Sequence, residues 1–277
     1  MIKKIYLLLF LVSCSFSYSQ LVIQTTYTPE QLVQQFLVGT GITATNVSFN
    51  GAPNVVLPRD QASRFLTNGG ITSAIGIREG VLLTTGKTVL AYGPNNAGGA
   101  TNQSAYAPTP DPDLQMIATQ SIQKGSILEF DFVAQGKEVS FDFVFASEEY
   151  GNSQCDFSDA FAFLLTNKTT GETTNLAVVP NTTTPISVVT IRNMLYNSGC
   201  PSENPNYFGR FNGGSEANNS ATNFNGQTVL LSAGATLVVN QTYHIKLVIA
   251  DRGDTAFDSA IFIASDTFNI GQDVLGK

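Results

Sequence analysis

The sequence predicts a mainly β protein, an antiparallel, jelly-roll-like β-sandwich with one short N-terminal helix. Three observations carry that expectation. Short apolar or alternating runs recur along the chain between Gly, Asn and Pro turns. Phe141, Phe143 and Phe145 share one face of an alternating run, and Phe161 and Phe163 repeat the pattern. Charged residues make up only 13% of the 277 positions, with 24 Gly and 19 Phe, a composition of exported β proteins more than of helical cytosolic enzymes.

The elements follow in order. Tyr27–Val38 reads as the helix: Thr28 is a good N-cap, Pro29 suits the first helical position, Gln31 completes a capping box, and Gly39 is a stop. Leu32, Val33, Phe36 and Leu37 form its apolar face. A second short helix is predicted over Asp60–Thr67, before Asn68-Gly69-Gly70. Val81–Thr84 is a strand between glycines, and Gly93–Pro112 is a long loop. Ile127–Val133 and Val139–Ala146 alternate on either side of Gln135-Gly136-Lys137, which predicts a hairpin. Strands are then expected at Ala160–Leu165, Leu176–Val179, Ile186–Ile191, Thr228–Leu231, Tyr243–Ala250 and Ser259–Phe268, with a long polar excursion at Asn193–Asn225. No fixed-period repeat and no linker divide the chain, so residues 20–277 read as one domain.

The first nineteen residues have the form of an export leader. Lys3 and Lys4 precede the apolar run Ile5–Val12, which is too short to span a bilayer, and small residues follow. Ser17 and Ser19 set up cleavage before Gln20. Leu11-Val12-Ser13-Cys14 offers the alternative of a lipoprotein box, with Cys14 the acylated residue. Losing Lys3 and Lys4 takes the net charge from −7 to −9. Export also leaves Cys155 and Cys200 as a pair, expected to form one disulfide between two polar loops.

Several blocks carry a resemblance. Phe143-Val144-Phe145-Ala146-Ser147-Glu148-Glu149-Tyr150 is followed by Asp159-Ala160-Phe161-Ala162-Phe163-Leu164-Leu165, then by Asn175-Leu176-Ala177-Val178-Val179-Pro180. Further on stand Thr242–Asp251, Gly253-Asp254 and Phe257-Asp258-Ser259-Ala260-Ile261-Phe262, and upstream Glu30–Val33 and Glu79–Gly86 also fit. Together they resemble the choice-of-anchor L domain of secreted and cell-surface Bacteroidetes proteins. The likeness implies a surface or secreted β domain, in a family whose members commonly continue into a C-terminal sorting or anchoring region. A fainter resemblance links Asp159, at the head of a Phe-rich strand, to legume-type lectins, although Ala160 stands where those have Gly.

Composition narrows the chemistry. One His leaves little for a His-based triad or a multi-His metal site. Acidic balance with only 14 Lys and Arg opposes nucleic-acid binding. The acids gather in two groups, Glu148, Glu149, Asp156 and Asp159, then Asp251, Asp254 and Asp258, each at a strand end beside a Gly-containing turn. Hard cations take six to eight oxygens, so Glu148, Glu149, Asp159, Asp251, Asp254 and Asp258 are the candidate ligands of a calcium ion. The competing reading has them capping turns or pairing with Arg192, Arg210 or Arg252, with Asp258 a buried acceptor. Tyr150, Asn152, Tyr207 and Phe208 are the candidate contacts for an extracellular glycan or surface protein. Glu148 with Asp159 or Asp254 is the carboxylate pair a glycan hydrolase would need. His244 lies in an alternating strand and reads as a hydrogen-bonded strand residue. Arg252-Gly253-Asp254 reads as a tight turn. A non-catalytic binding or adhesion module is therefore expected, ahead of a hydrolase or a purely structural domain.

Overall fold

The computed structural model describes residues 21–39, 41–53, 60–67, 72–95, 110–265 and 267–270. The leader, Cys14 and most of the predicted 93–112 loop lie outside the described residues. Among the described residues, fourteen strands make two antiparallel sheets. In chain order these are β1 Leu21–Gln24, β2 Thr45–Phe49, β3 Ala52–Pro53, β4 Ala62–Thr67, β5 Glu79–Thr84, β6 Ile122–Val133 and β7 Glu138–Ser147. They continue with β8 Ala160–Asn167, β9 Thr173–Asn175, β10 Phe208–Phe211, β11 Gly226–Thr228, β12 Leu231–Thr236, β13 Thr242–Arg252 and β14 Ser259–Ala264. The first sheet has the order β1-β4-β5-β14-β7-β11-β10, with β12 also paired to β7; the second runs β3-β2-β6-β13-β8-β9.

The phenylalanines explain why the layers close. Phe141, Phe143 and Phe145 of β7 meet Phe161 and Phe163 of β8 from the opposite sheet. Phe145 stacks on Phe161 at 4.8 Å, and Phe143 meets Phe163 edge-on at 4.9 Å. All five are fully buried, and each such ring contributes about 2–3 kcal/mol of burial. Outer faces are covered too. Leu82, Val144 and Phe262 pack with Phe65, Ile75 and Phe224 outside the first sheet. Leu114, from a short helix α1 at Pro112–Ile117, packs on Ala162, Leu164 and Val248 outside the second. Strands such as β14, Ser-Ala-Ile-Phe-Ile-Ala, are therefore buried at every position.

Four sequence expectations are corrected. Predicted helix Asp60–Thr67 is strand β4: Ala62, Ser63, Phe65 and Thr67 are buried, and the segment pairs with β1 and β5. Ile127–Val133 and Val139–Ala146 do not form a hairpin. They belong to different sheets, because the aromatic faces of both are satisfied across the core and β13 takes the edge of β6. Leu176–Val179 and Ile186–Ile191 are irregular, joined only by the Val178–Pro185 bridge, yet they bury Leu176, Val179, Ile186 and Ile191. The N-terminal helix keeps its Thr28–Gln31 capping box at Pro29–Gln31 but continues over Leu32–Leu37 as a π-helix, closed by Val38 N–H donating to the Val33 carbonyl. That wider turn places Leu32, Val33 and Leu37 in the core while Phe36 stays half-buried at its edge, against Tyr27.

Candidate functional site

Two chain segments cross from one sheet to the other at the same end of the sandwich. Residues 148–159 lead from β7 to β8, and residues 253–258 lead from β13 back to β14. Gly151 and Gly253, both at positive φ, allow the turns. Both crossings carry acids, so the two sequence groups meet. Glu148 N–H donates to the Asp258 carbonyl at 3.0 Å, and Asp258 N–H donates to Glu148 Oε2 at 3.1 Å. Ser259 Oγ donates to Glu149 Oε2 at 3.3 Å, while Thr85 Oγ1 donates to Asp258 Oδ1 at 3.1 Å. On the side of the second sheet, Arg252 N–H donates to Asp159 Oδ1 at 3.3 Å. A bulge between Ala250 and Arg252 accompanies the burial of Asp251, whose neighbour Arg252 stays half-buried.

Five of the six candidate ligands are thus gathered under the surface: Glu148, Glu149, Asp159, Asp251 and Asp258 are each 4% exposed or less. Asp254 is not among them. Its carboxylate is exposed and caps its own turn, accepting from Ala256 N–H at 2.9 Å, because the Gly253 turn carries it outward. Asp156 is exposed as well. Burial raises the Glu149 carboxyl well above the usual range, and nearby Glu148 and Asp251 add to that rise. Asp159 is raised in the same way, by burial first and then by Glu149, Asp251 and Asp258, with the Ser259 hydroxyl working in the opposite sense. Among the described residues, no three His, Cys, Asp or Glu side chains close on one point as they stand.

Beside this cluster lies a groove of about 270 Å³. Glu148 and Tyr150 line it, together with Asn152, Asn225, Tyr196 and Phe211. The Cys155–Cys200 disulfide, with Cα atoms 5.6 Å apart, ties the first crossing to the long 193–225 excursion and so holds the groove's two walls together. Tyr196 stacks on Phe211 at 4.4 Å. Of the four candidate contacts, Asn152 is exposed and lines the groove, and Tyr207 is half-buried. Tyr150 and Phe208 are both buried, Tyr150 while also lining the groove. Their rings pack at 5.0 Å, and Gly226 leaves no Cβ to strike the Tyr150 ring. Tyr196 and Phe211, which the sequence reading did not name, line the groove. A bulge between Phe208 and Arg210 separates the inward Phe208 from the groove-lining Phe211, and nothing in the residue types reveals it.

The hydrolase pair is not displayed. Glu148 and Asp159 are buried, and Asp254 serves its own turn. Arg252 uses its guanidinium on the Ser158 carbonyl and Thr119, Arg210 pairs with Glu216, and Arg192 bonds backbone carbonyls. His244 sits on the outer face of the second sheet, bonded to Asp131 and Glu129, away from both crossings.

A family model for the choice-of-anchor L domain matches residues 21–269, nearly the whole chain. The chain belongs to the choice-of-anchor L domain family. Membership indicates a surface-associated module, and the family is not a known enzyme family. Neither a curated protein nor a solved structure gives a significant match. No helix among the described residues is long and apolar enough to cross a membrane.

Proposed function

We propose that this choice-of-anchor L chain is one exported binding domain and that it contacts a glycan through the groove between its disulfide-tied loops. The observation that carries the reading is the groove's mixed lining. A stacked Tyr196–Phe211 pair offers an apolar platform, and the exposed Asn152 supplies an amide beside it, while the Asn225 amide is held by the Glu148 carbonyl and Asn95. Sugars present that combination, with C–H faces that sit on aromatic rings and hydroxyls that bond to amides. Binding loops on a rigid scaffold are the usual division of labour.

In this reading the leader at residues 1–19 directs export, and Cys14 acylation is the alternative route to the surface. The N-terminal mass of the exported protein separates the two.

The glycan claim is tested on a polysaccharide array. Binding by the wild-type protein should fall by about tenfold or more in Tyr196→Ala with the melting temperature nearly unchanged, a loss of roughly 1.4 kcal/mol. Absence of any bound glycan, equal binding by Tyr196→Ala, or turnover of the polysaccharide would each reject the proposal.

A further inference from the structure

Three segments leave a second cavity on the outer side of the second sheet: the C-terminal end of α1, the head of β8 and the irregular stretch at residues 185–190. Val188 N–H donates to Ser158 Oγ at 2.9 Å, which fixes that stretch beside β8. The cavity has a volume of about 170 Å³ and shares no lining residue with the groove. Ile117, Ala160, Pro185, Ile186 and Val189 give it apolar walls. Its polar residues differ in how far they are committed. Ser187 and Thr190 bond each other and Thr190 donates to the Pro185 carbonyl, so that pair serves its own turn. Arg252 also lines the cavity and is half-buried. Its Nε donates to the Ser158 carbonyl at 2.7 Å and its Nη1 to Thr119 Oγ1 at 2.9 Å, and Thr119 is a lining residue too. Nη2 has no hydrogen-bond partner among the described residues. Arg64, Arg78 and Arg210 each pair with a glutamate, whereas Arg252 makes no ion pair among those residues.

We propose that this cavity binds a small apolar monocarboxylate, with its hydrocarbon body against Ile117, Ala160, Ile186 and Val189 and its carboxylate on Arg252. Size sets the body, since an apolar cavity of about 150 Å³ takes a six-membered aromatic ring. Charge sets the head group. A guanidinium already oriented by two hydrogen bonds, with donors left over, matches a carboxylate better than an alcohol or an amine. Removing the apolar body from water supplies affinity, and the ion pair supplies selectivity. The one acid in the lining, Asp159, does not oppose this. It is buried, and its Oδ1 takes the Arg252 backbone N–H. Burial, then the neighbouring carboxylates, pushes its pKa up, which favours its neutral form beside an arriving anion.

This site is independent of the glycan groove. The probe is phenylacetate, titrated calorimetrically into the exported protein. Phenethyl alcohol and phenethylamine carry the same ring without the charge and with the opposite charge. Phenylacetate should bind saturably and one-to-one, the alcohol about tenfold more weakly, and the amine not at all. Arg252→Gln should weaken phenylacetate by about tenfold, and Arg252→Lys by less, because it keeps the charge and loses the fork. Arg252 also ties Ser158 to Thr119, so a second variant leaves it in place. Ala118→Phe, at the half-buried rim, should fill the cavity and abolish binding with the melting temperature nearly unchanged. Tyr196→Ala should bind phenylacetate as the wild type does. Absence of saturable phenylacetate binding, equal binding of the alcohol, undiminished binding by Ala118→Phe, or loss of binding in Tyr196→Ala would each overturn the proposal.

Discussion

The two faces of the second sheet treat their acids in opposite ways. On the outer face every carboxylate is answered. Asp131 accepts from Lys168 at 2.5 Å, from Asn46 at 2.8 Å and meets His244 at 2.8 Å. Glu129 meets the other His244 nitrogen and accepts from Ser48, while Lys246 bridges Asp111 and Asp113. At the crossing end, Glu149 and Asp159 are surrounded chiefly by like charge. Burial opposes ionisation of Asp131, yet its hydrogen bonds from Lys168, Asn46 and His244 outweigh it and hold the carboxyl below its ordinary value. Deeper burial, with carboxylates in place of cations as neighbours, drives Glu149 and Asp159 the other way. Charge that is paired stabilises the fold; charge that is buried and crowded by its own sign is costly to keep ionised.

The largest effect expected follows from what holds the crowded end together. Its loops are stapled by a disulfide and by hydrogen bonds such as Gln154 to the Asn193 carbonyl, with no ion pair between them among the described residues. Replacing Cys155 and Cys200 with Ala releases a separation of 45 residues, worth about 3–4 kcal/mol on the chain-entropy model. Thermal denaturation should show a drop of roughly 6–16 °C. A drop below about 2 °C would mean that the loops are held by other contacts, and the contrast with the outer face would weaken.

A smaller effect tests the contrast by sign. Asp131→Asn removes a charge that three partners use, and should cost about 1–2 kcal/mol, reduced because Lys168 is about half exposed. Asp159→Asn removes a like-charged neighbour and should lie within about 0.5 kcal/mol of wild type, or above it. Chemical denaturation of the two variants side by side reads the difference. Equal losses would show that both faces are ordinary structural networks.

How much of this was legible depends on what kind of signal each feature leaves. Alternation at Phe141, Phe143 and Phe145 announces a buried face, and the capping box at Thr28–Gln31 announces a helix start, because both are local. Pairing is not local. Period-2 patterning on Ile127–Val133 and Val139–Ala146 says that each strand has a core face, and it is equally true of a hairpin and of two strands facing across a sandwich. Ala62–Thr67 fails for a related reason, since a six-residue strand covered on both sides does not alternate cleanly. In the site, Cys155 and Cys200 were readable by elimination once export was assumed. The acid set was readable as two groups beside turns. Which members turn inward was not, since one bulge at Ala250–Arg252 and one positive-φ glycine decide between Asp251 and Asp254. The same holds for Phe208 and Phe211 across their own bulge.

The smallest effect comes from pH on the paired face. Hydrogen bonding to Glu129, then to Asp131, raises the His244 pKa despite partial burial. Folding therefore takes up a proton near neutrality. The His244 contribution is fully present below the unfolded value of about 6.5 and is lost as pH rises through the raised folded value. Its partners have the opposite sign. Glu129 is lowered chiefly by its bond to His244, and with Asp131 it contributes stability present above the unfolded carboxylate values of about 4 and lost as pH falls through the lowered ones. The triad should therefore stabilise most between about pH 4.5 and 6.5, by a few tenths to about 1 kcal/mol given that the His244 side chain is 30% exposed. Lys168, Lys246, Asp111 and Asp113 are the other charges on this face, and Lys246, whose pKa is raised, stays protonated across that window. Denaturation at pH 6 and pH 8 should show the wild type losing that increment and His244→Asn losing none of it. A variant with the same pH dependence as wild type would move the titration elsewhere in the molecule and remove the outer face as the paired half of the comparison.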